Sequence, residues 1–218
     1  MRRAAVRRNL RYGRGMIAAL PTDPDALAEL YRHPEADGRP YVRANMISSL
    51  DGSATAAGRS GGLGGDGDRR LFRALRAEAD VVLVGAATVR DEDYGTPAHP
   101  ALAIVTRGDV ARTPRLYPGD GREPLVYSGH GESVDLRQVL QDLHTRGLRR
   151  VLAEGGPGVL GALLAQDLID ELCLTVAPMV VGGTGRRIVS GTDLSTAHWT
   201  RGPVLGDDEG YLYTRWRR

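Results

Sequence analysis

The fold class this sequence predicts is α/β: one domain on a mixed, mostly parallel sheet flanked by helices. Three observations carry it. Short apolar runs ("VVLVG", "ALAIVT", "PLVYS", then 150–153 and 171–177) alternate with helical patterns, the signature of strands in parallel order with helices packed on them. The last strand-like segments follow one another with no helical pattern between them, which puts an antiparallel edge at the C-terminus. The chain has 218 residues, 41% apolar and 26% charged, enough for one sizeable core and ordinary for a globular protein.

Each element has a local reason. Asp23 followed by Pro24 reads as a helix cap and first helical position, leading into "DALAELYRH". "YVRANMISSLDG" is a strand entering a glycine-bounded loop, and "AAGRSGGLGGDGD" is too glycine-rich for regular structure. Asp66 or Asp68 is a plausible cap for "RRLFRALRAEA", in which Leu71, Phe72, Leu75 and Ala79 share a face. "VDLRQVLQDLHTRG" is an amphipathic helix with Gly147 as its stop. Val159, Leu160, Leu163, Leu164 and Leu168 mark one face of a further helix, and the last strand falls near "GYLYTRW". Residues 1–20 read as an Arg-rich tail and 21–218 as the domain.

Composition excludes several chemistries. All 29 basic residues are arginine, so there is no Schiff-base lysine, no phosphate-loop lysine and no lysine base. The single cysteine, Cys173, allows no intrachain disulfide and no cysteine-rich zinc site; it lies in the strand pattern "ELCLTVAP" and reads as core. No run reaches the roughly 18–20 apolar residues that span a bilayer, and no secretory h-region is present. A reducing, cytoplasmic setting fits these features. Residues 1–15 hold six arginines and no acid, so the rest carries a formal −4 of the +2 total. The body is therefore not a basic nucleic-acid surface. The tail reads either as a solvated terminus or as a contact for nucleic acid or an acidic partner, the solvated terminus being the better reading.

Two strand ends look ready for an anion. In "VLAEGGPGVLGALLAQDLID" an apolar strand ends in Glu154, then Gly155, Gly156, Pro157 and Gly158 turn the chain into a helix. Such a turn aims backbone N–H groups and the positive end of the helix at one point, without side chains in the way. The motif by itself reads equally as a tight turn, and it lacks the G-x-G-x-x-G spacing of dinucleotide-binding folds. In "DVVLVGAATVRDEDYG" a second buried strand ends at Gly85, and Thr88 reads as a cap for a short turn and a phosphate donor. Two such ends in one sheet suit a dinucleotide laid across its edge.

Together "YVRANMISSLDG", "LRAEADVVLVGAATVRDED" and "VLAEGGPGVLGALLAQDLIDELCLTVAPMVVGG" resemble the reductase family of riboflavin biosynthesis, over roughly residues 40–215. The resemblance implies a dihydrofolate-reductase-like fold and NADPH-dependent reduction of a ribosylaminopyrimidine 5′-phosphate to its ribitylamino form. No deaminase zinc signature is present, so the chain resembles the stand-alone reductase. By this resemblance Glu154 contacts substrate and is the candidate catalytic carboxylate. Asn45, Ser60 and Arg76 hold substrate, Arg76 being suited to a bidentate grip on its phosphate. The segment from Gly156 to Ala162 matches the one that holds the cofactor diphosphate. Gly85, Thr88, Thr106 and Arg107 join Gly155, Gly156, Pro157, Gly158, Val159 and Leu160 as cofactor-binding positions, Arg107 being placed for the 2′-phosphate.

The sequence also departs from the family. Asn45 stands where deaminase-fused enzymes often have lysine and archaeal-type relatives asparagine, which leaves the deamination state of the substrate open. "TVRDEDYG" departs from the usual T-V-x-x-D-D-P, which predicts a differently shaped loop. Asp51 in "SLDG" reads as a turn former or a ligand. His33, His99, His130, His144 and His198 match no motif and read as structural or surface residues. The implied chemistry is hydride transfer to C1′ of the ribosyl group after the sugar opens to an imine, because a cyclic aminal accepts no hydride. Glu154 would then stabilise an iminium, relay a proton or simply orient the substrate. Two other functions stay open: a same-fold NADPH reductase acting on a pterin or a specialised-metabolism pyrimidine, and a noncatalytic nucleotide- or RNA-binding protein. A homodimer is expected, because Tyr211, Tyr213 and Arg215 on one face of the last strand and Leu212, Thr214 and Trp216 on the other leave no solvated face for an edge.

Overall fold

In the computed structural model, which describes residues 17–34, 38–129, 133–191 and 197–218, all nine strands join one sheet. The strands are β1 (Ala18–Ala19), β2 (Tyr41–Ser48), β3 (Val81–Gly85), β4 (Ala101–Thr106), β5 (Leu125–Ser128), β6 (Arg150–Gly155), β7 (Glu171–Val176), β8 (Thr200–Gly206) and β9 (Leu212–Arg217). Their order is β1-β8-β9-β7-β2-β6-β3-β4-β5. Strands β2 to β7 run parallel, so their C-terminal ends share one edge. Only β9 runs antiparallel, between β7 and β8. This mixed topology is what the sequence predicted. The expected Arg-rich tail lies mostly outside the described residues. Its expected end at 20 moves, because Ala18 and Ala19 pair with β8 and Leu20 is in the core.

The helices are α1 (Pro24–Leu30), α2 (Asp66–Ala77), α3 (Ala86–Asp91), α4 (Leu136–Thr145) and α5 (Pro157–Ala165). Leu27, Leu71, Leu75 and Val89 place α1, α2 and α3 on one face of the sheet. Leu136, Val139, Leu143, Leu160 and Leu163 place α4 and α5 on the other. Asp23 caps α1 as expected, accepting from the Ala26 amide. Asp135 caps α4, and Gly147, at φ +80°, follows its last turn.

Several local expectations need correction. Neither Asp66 nor Asp68 caps α2. The cap is Gly65, and both acids sit in the first turn, where they still complement the helix dipole. Glycine is needed there because Tyr211 and Glu209 crowd Gly65, while Tyr213 and Asp207 crowd Gly67. Phe72 is not core: it is half-buried, with the Arg76 guanidinium over its ring at 4.3 Å. "PLVYS" is not a buried strand but the exposed edge strand β5, with Val126 42% exposed. The expected last strand, β9, is interior and not an edge. Cys173 is inert as expected, since burial pushes its thiol up to about 12.

Candidate active site

The C-terminal edge of the parallel strands gathers most of the expected site residues. Strand β6 carries a bulge there: Leu83 pairs with Ala153, but Val84 pairs with Gly155, so Glu154 is the extra residue. Bulges re-aim side chains beside functional sites. The bulge sends Glu154 to the α2 side of the sheet, its side chain only 2% exposed. Arg76, from the last turn of α2, meets it as a fork, Nε to Oε1 at 2.7 Å and Nη2 to Oε2 at 2.6 Å. The Tyr94 hydroxyl, from the loop after α3, donates to Oε2 at 2.6 Å. All three bonds are donated to the carboxylate oxygens and fix its plane. This arrangement suits Glu154 to orient a hydroxyl or face a cation.

Arg76 therefore does not stand free for a phosphate. Its Nε and Nη2 are engaged, and only Nη1 makes no hydrogen bond to a described residue. Asn45 is the β2 neighbour of this site, since Ala44 pairs with Ala153 in the register just before the bulge. Its Oδ1 is buried without a partner among the described residues, an acceptor that suits a ligand N–H. Ser60 lies in a 3-10 turn (Ser60–Gly62), and Glu92 Oε1 takes both its N–H and its hydroxyl at 2.8 Å. Asp51 proves to be a turn former: it accepts from Ser49 Oγ, Val181 N and Gly182 N. The Ser49 hydroxyl first, then these amides, hold its carboxyl down at about 2.

The cofactor positions divide. Gly155 turns at φ +91°, Gly156 caps α5 without any side-chain bond, and Pro157 begins the helix. Thr88 does not cap α3, whose cap is Gly85. It packs instead on the glycine turn, where a Cβ at Gly156 would stand 2.7 Å from its Oγ1. A Cβ at Gly85 would likewise meet Val159 Cγ2 at 3.0 Å. Gly158 has open space around it. The Leu160 side chain is buried, and the amides of Val159 and Leu160 both return to Gly156 O. Thr106 Oγ1 accepts from Gly108 N at 3.1 Å, and Arg107 beyond it is exposed. Two close-packed glycine strand ends and an open helix turn form a backbone cradle that fits a dinucleotide's diphosphate.

Sequence reasoning missed Tyr94, Glu92 and Phe72. The departure of "DEDYG" from the family pattern was the available signal for the first two. Of the histidines, His33 is buried, with Nδ1 against Pro34 O at 3.4 Å, and burial lowers its pKa to about 4. His130 lies outside the described residues. Among the described residues no group of His, Cys, Asp and Glu could hold a metal, and no helix is long and apolar enough to cross a membrane.

A parallel sheet edge with a glycine turn beside a clamped carboxylate places a candidate small-molecule site at the strand ends, where open α/β sheets bind ligands. The chain belongs to the RibD C-terminal domain family, whose model matches residues 40–213. It is 30% identical over 212 residues to the 2,5-diamino-6-ribosylamino-4(3H)-pyrimidinone 5′-phosphate reductase of Methanothermobacter thermautotrophicus, covering 81% of this chain and 98% of that one. The enzyme of the same name from Archaeoglobus fulgidus is 28% identical, over 66% of this chain and 83% of that one. A pyrimidine reductase-like protein from Corynebacterium diphtheriae superposes with TM-score 0.68 at 25% identity, over 82% of this chain and 91% of that one. Dihydrofolate reductase from Enterococcus faecalis, at TM-score 0.58 and 14% identity, shares the fold. The chain is thus a reductase of the riboflavin-pathway type, and its family and fold point to a nicotinamide reductant.

Proposed function

We propose that this protein reduces a ribosylaminopyrimidine 5′-phosphate to the ribitylamino form with NADPH, as a cytoplasmic homodimer whose reductase domain runs from residue 18. The observation that carries the reading is the position of Glu154. Fixed by Arg76 and Tyr94, it stands one residue before the glycine turn on which Thr88 packs. Gly155, Gly156, Pro157, Gly158, Gly85 and Thr88 would hold the cofactor. When bound, NADPH supplies the hydride. Asn45 Oδ1 would accept from the pyrimidine; Arg76 keeps only Nη1 for the phosphate, and Ser60 would reach it only by exchanging its bonds to Glu92 for bonds to the substrate. The second lone pair of Glu154 Oε1 would face the opened sugar or its iminium, and holding these groups in one geometry is most of the protein's contribution. The test is loss of reduced-nicotinamide absorbance with the 2-amino and the deaminated pyrimidine supplied separately. Oxidation with neither sinks the reading.

Two further expectations belong to it. The protein should prefer NADPH to NADH, because Arg107 stands exposed just past β4, free to meet a 2′-phosphate. A charge-assisted pair of this kind contributes about 1.5–3 kcal/mol. Equal affinity for the two cofactors in calorimetry contradicts it. A homodimer is supported by the open face of β7 and β9, where Leu172, Leu174, Val176, Trp199 and Trp216 line a shallow cavity of about 400 Å³. An apolar patch of this kind on a sheet face is a usual contact surface. Light scattering should give twice the 23.4 kDa chain mass, and Trp216→Arg should give monomers. A monomeric wild type at micromolar concentration rejects the dimer.

A further inference from the structure

We infer that Tyr94 is a positioning residue of the reductase site: through its hydrogen bond to Oε2 it sets which oxygen of Glu154 is presented to the substrate. The inference rests on the proposed function and adds a residue outside the family pattern. The arginine fork alone treats the two carboxylate oxygens alike. Tyr94 breaks that symmetry, since Oε2 accepts from both Arg76 Nη2 and the tyrosine, whereas among the described residues Oε1 accepts only from Arg76 Nε. Each carboxylate oxygen takes about two donors. Oε2 is therefore full and Oε1 keeps one place.

Tyr94 is built to hold still. Its amide bonds Val89 O at 2.9 Å, closing α3 onto the loop, and its ring packs against the core shared by α1, α2 and α3. The Arg76 guanidinium is caught between its ring, at 5.4 Å, and that of Phe72. Arg76 is a long side chain 27% exposed, so without these walls its ordering would cost substantial rotamer freedom. Two residues earlier, Glu92 fixes Ser60. One short segment after the Thr88 helix thus holds two groups expected to touch substrate. Tyr94 is not itself suited to give a proton: burial first, and then the Glu154 charge, push its hydroxyl up.

The test is a double-mutant cycle of Tyr94→Phe and Glu154→Gln in the full-length protein, read by steady-state kinetics. Tyr94→Phe should lower kcat/KM for the pyrimidine about 10–100-fold, the scale of a hydrogen bond to a charged group. The KM for NADPH and the alkaline limb of the pH profile should stay as in wild type. Added to Glu154→Gln, it should cost nothing more, because the group it positions is gone. Multiplied losses, a vanished alkaline limb or wild-type kinetics for Tyr94→Phe each overturn the inference. A second readout needs no turnover: exchange of the Arg76 Nε–H with water, followed by NMR, should speed up in Tyr94→Phe, and an unchanged rate also overturns it. If wild type oxidises NADPH with neither pyrimidine, the proposed function falls, and the exchange rate still judges Tyr94.

Discussion

Glu154→Gln is expected to lower turnover about 10²-fold or more, the low end of effects from removing a group that acts on the reacting atoms. The amide keeps the shape but loses the charge that would face an iminium. It also sets an N–H₂ against Arg76 or Tyr94, both of which donate to the native carboxylate. That mismatch adds a stability cost of about 1–3 kcal/mol, the penalty of a buried donor left without its acceptor. The two losses separate experimentally. NADPH affinity should stay within about twofold of wild type, because the cradle of Gly155, Gly156 and Thr88 is backbone and hydroxyl and does not use the carboxylate. Kinetics are then measured well below the variant's melting temperature. Normal turnover with a lowered melting temperature would show that Glu154 only braces α2 against β6, leaving Asn45, Ser60 and Arg76 to hold substrate.

What could be read from sequence was local. Apolar runs gave β3, β4, β6 and β7, and Asp23–Pro24 with Gly147 gave helix boundaries, because caps and periodicity act within a few residues. Glu154 was visible because a glycine turn follows it directly. Its partners were not: Arg76 lies 78 positions away, and an arginine on a helix looks the same whether it awaits a phosphate or grips a carboxylate. Phe72 sits next to the core stripe in helical angle, so periodicity put it inside; its neighbour Arg76 draws it toward the site edge. The bulge at Glu154 left no sign, since it is a property of two strands in register. Strands β1 and β8 were missed because Ala18–Ala19 is too short for a pattern and Thr200–Gly206 contains Gly202 and Pro203. The open apolar face is not that of an edge strand: β9 is interior, and its large residues split between a covered face with Tyr213 and an open one with Trp216.

Arg43→Met is expected to cost about 3–5 kcal/mol of stability, the usual result of removing one partner of a buried ion pair. Arg43 and Glu171 have side chains 0% exposed, joined Nε to Oε1 at 2.6 Å between adjacent strands β2 and β7. Arg43 also donates to Tyr31 O at 2.7 Å and Arg32 O at 3.3 Å, tying the end of α1 to the sheet. Its loss would strand those carbonyls and leave Glu171 to Arg217 at 3.0 Å and Arg215 at 3.7 Å. Both remaining arginines are more exposed, so they compensate in part. At about 2–4 °C per kcal/mol for a chain of this size, the melting temperature should fall by roughly 10 °C. The pH dependence has a definite sign. Burial works to raise the Glu171 carboxyl, but Arg43, Arg215 and Arg217 outweigh it and hold it below its ordinary value. A depressed folded pKa contributes stability above the unfolded value, and that contribution is lost as pH falls through the folded one. Wild type should therefore weaken in acid, and Glu171→Gln should weaken less steeply there while being less stable at neutral pH. A melting temperature for Arg43→Met within about 2 °C of wild type, or parallel acid limbs for wild type and Glu171→Gln, would show that Arg215 and Arg217 suffice and that the buried pair adds little.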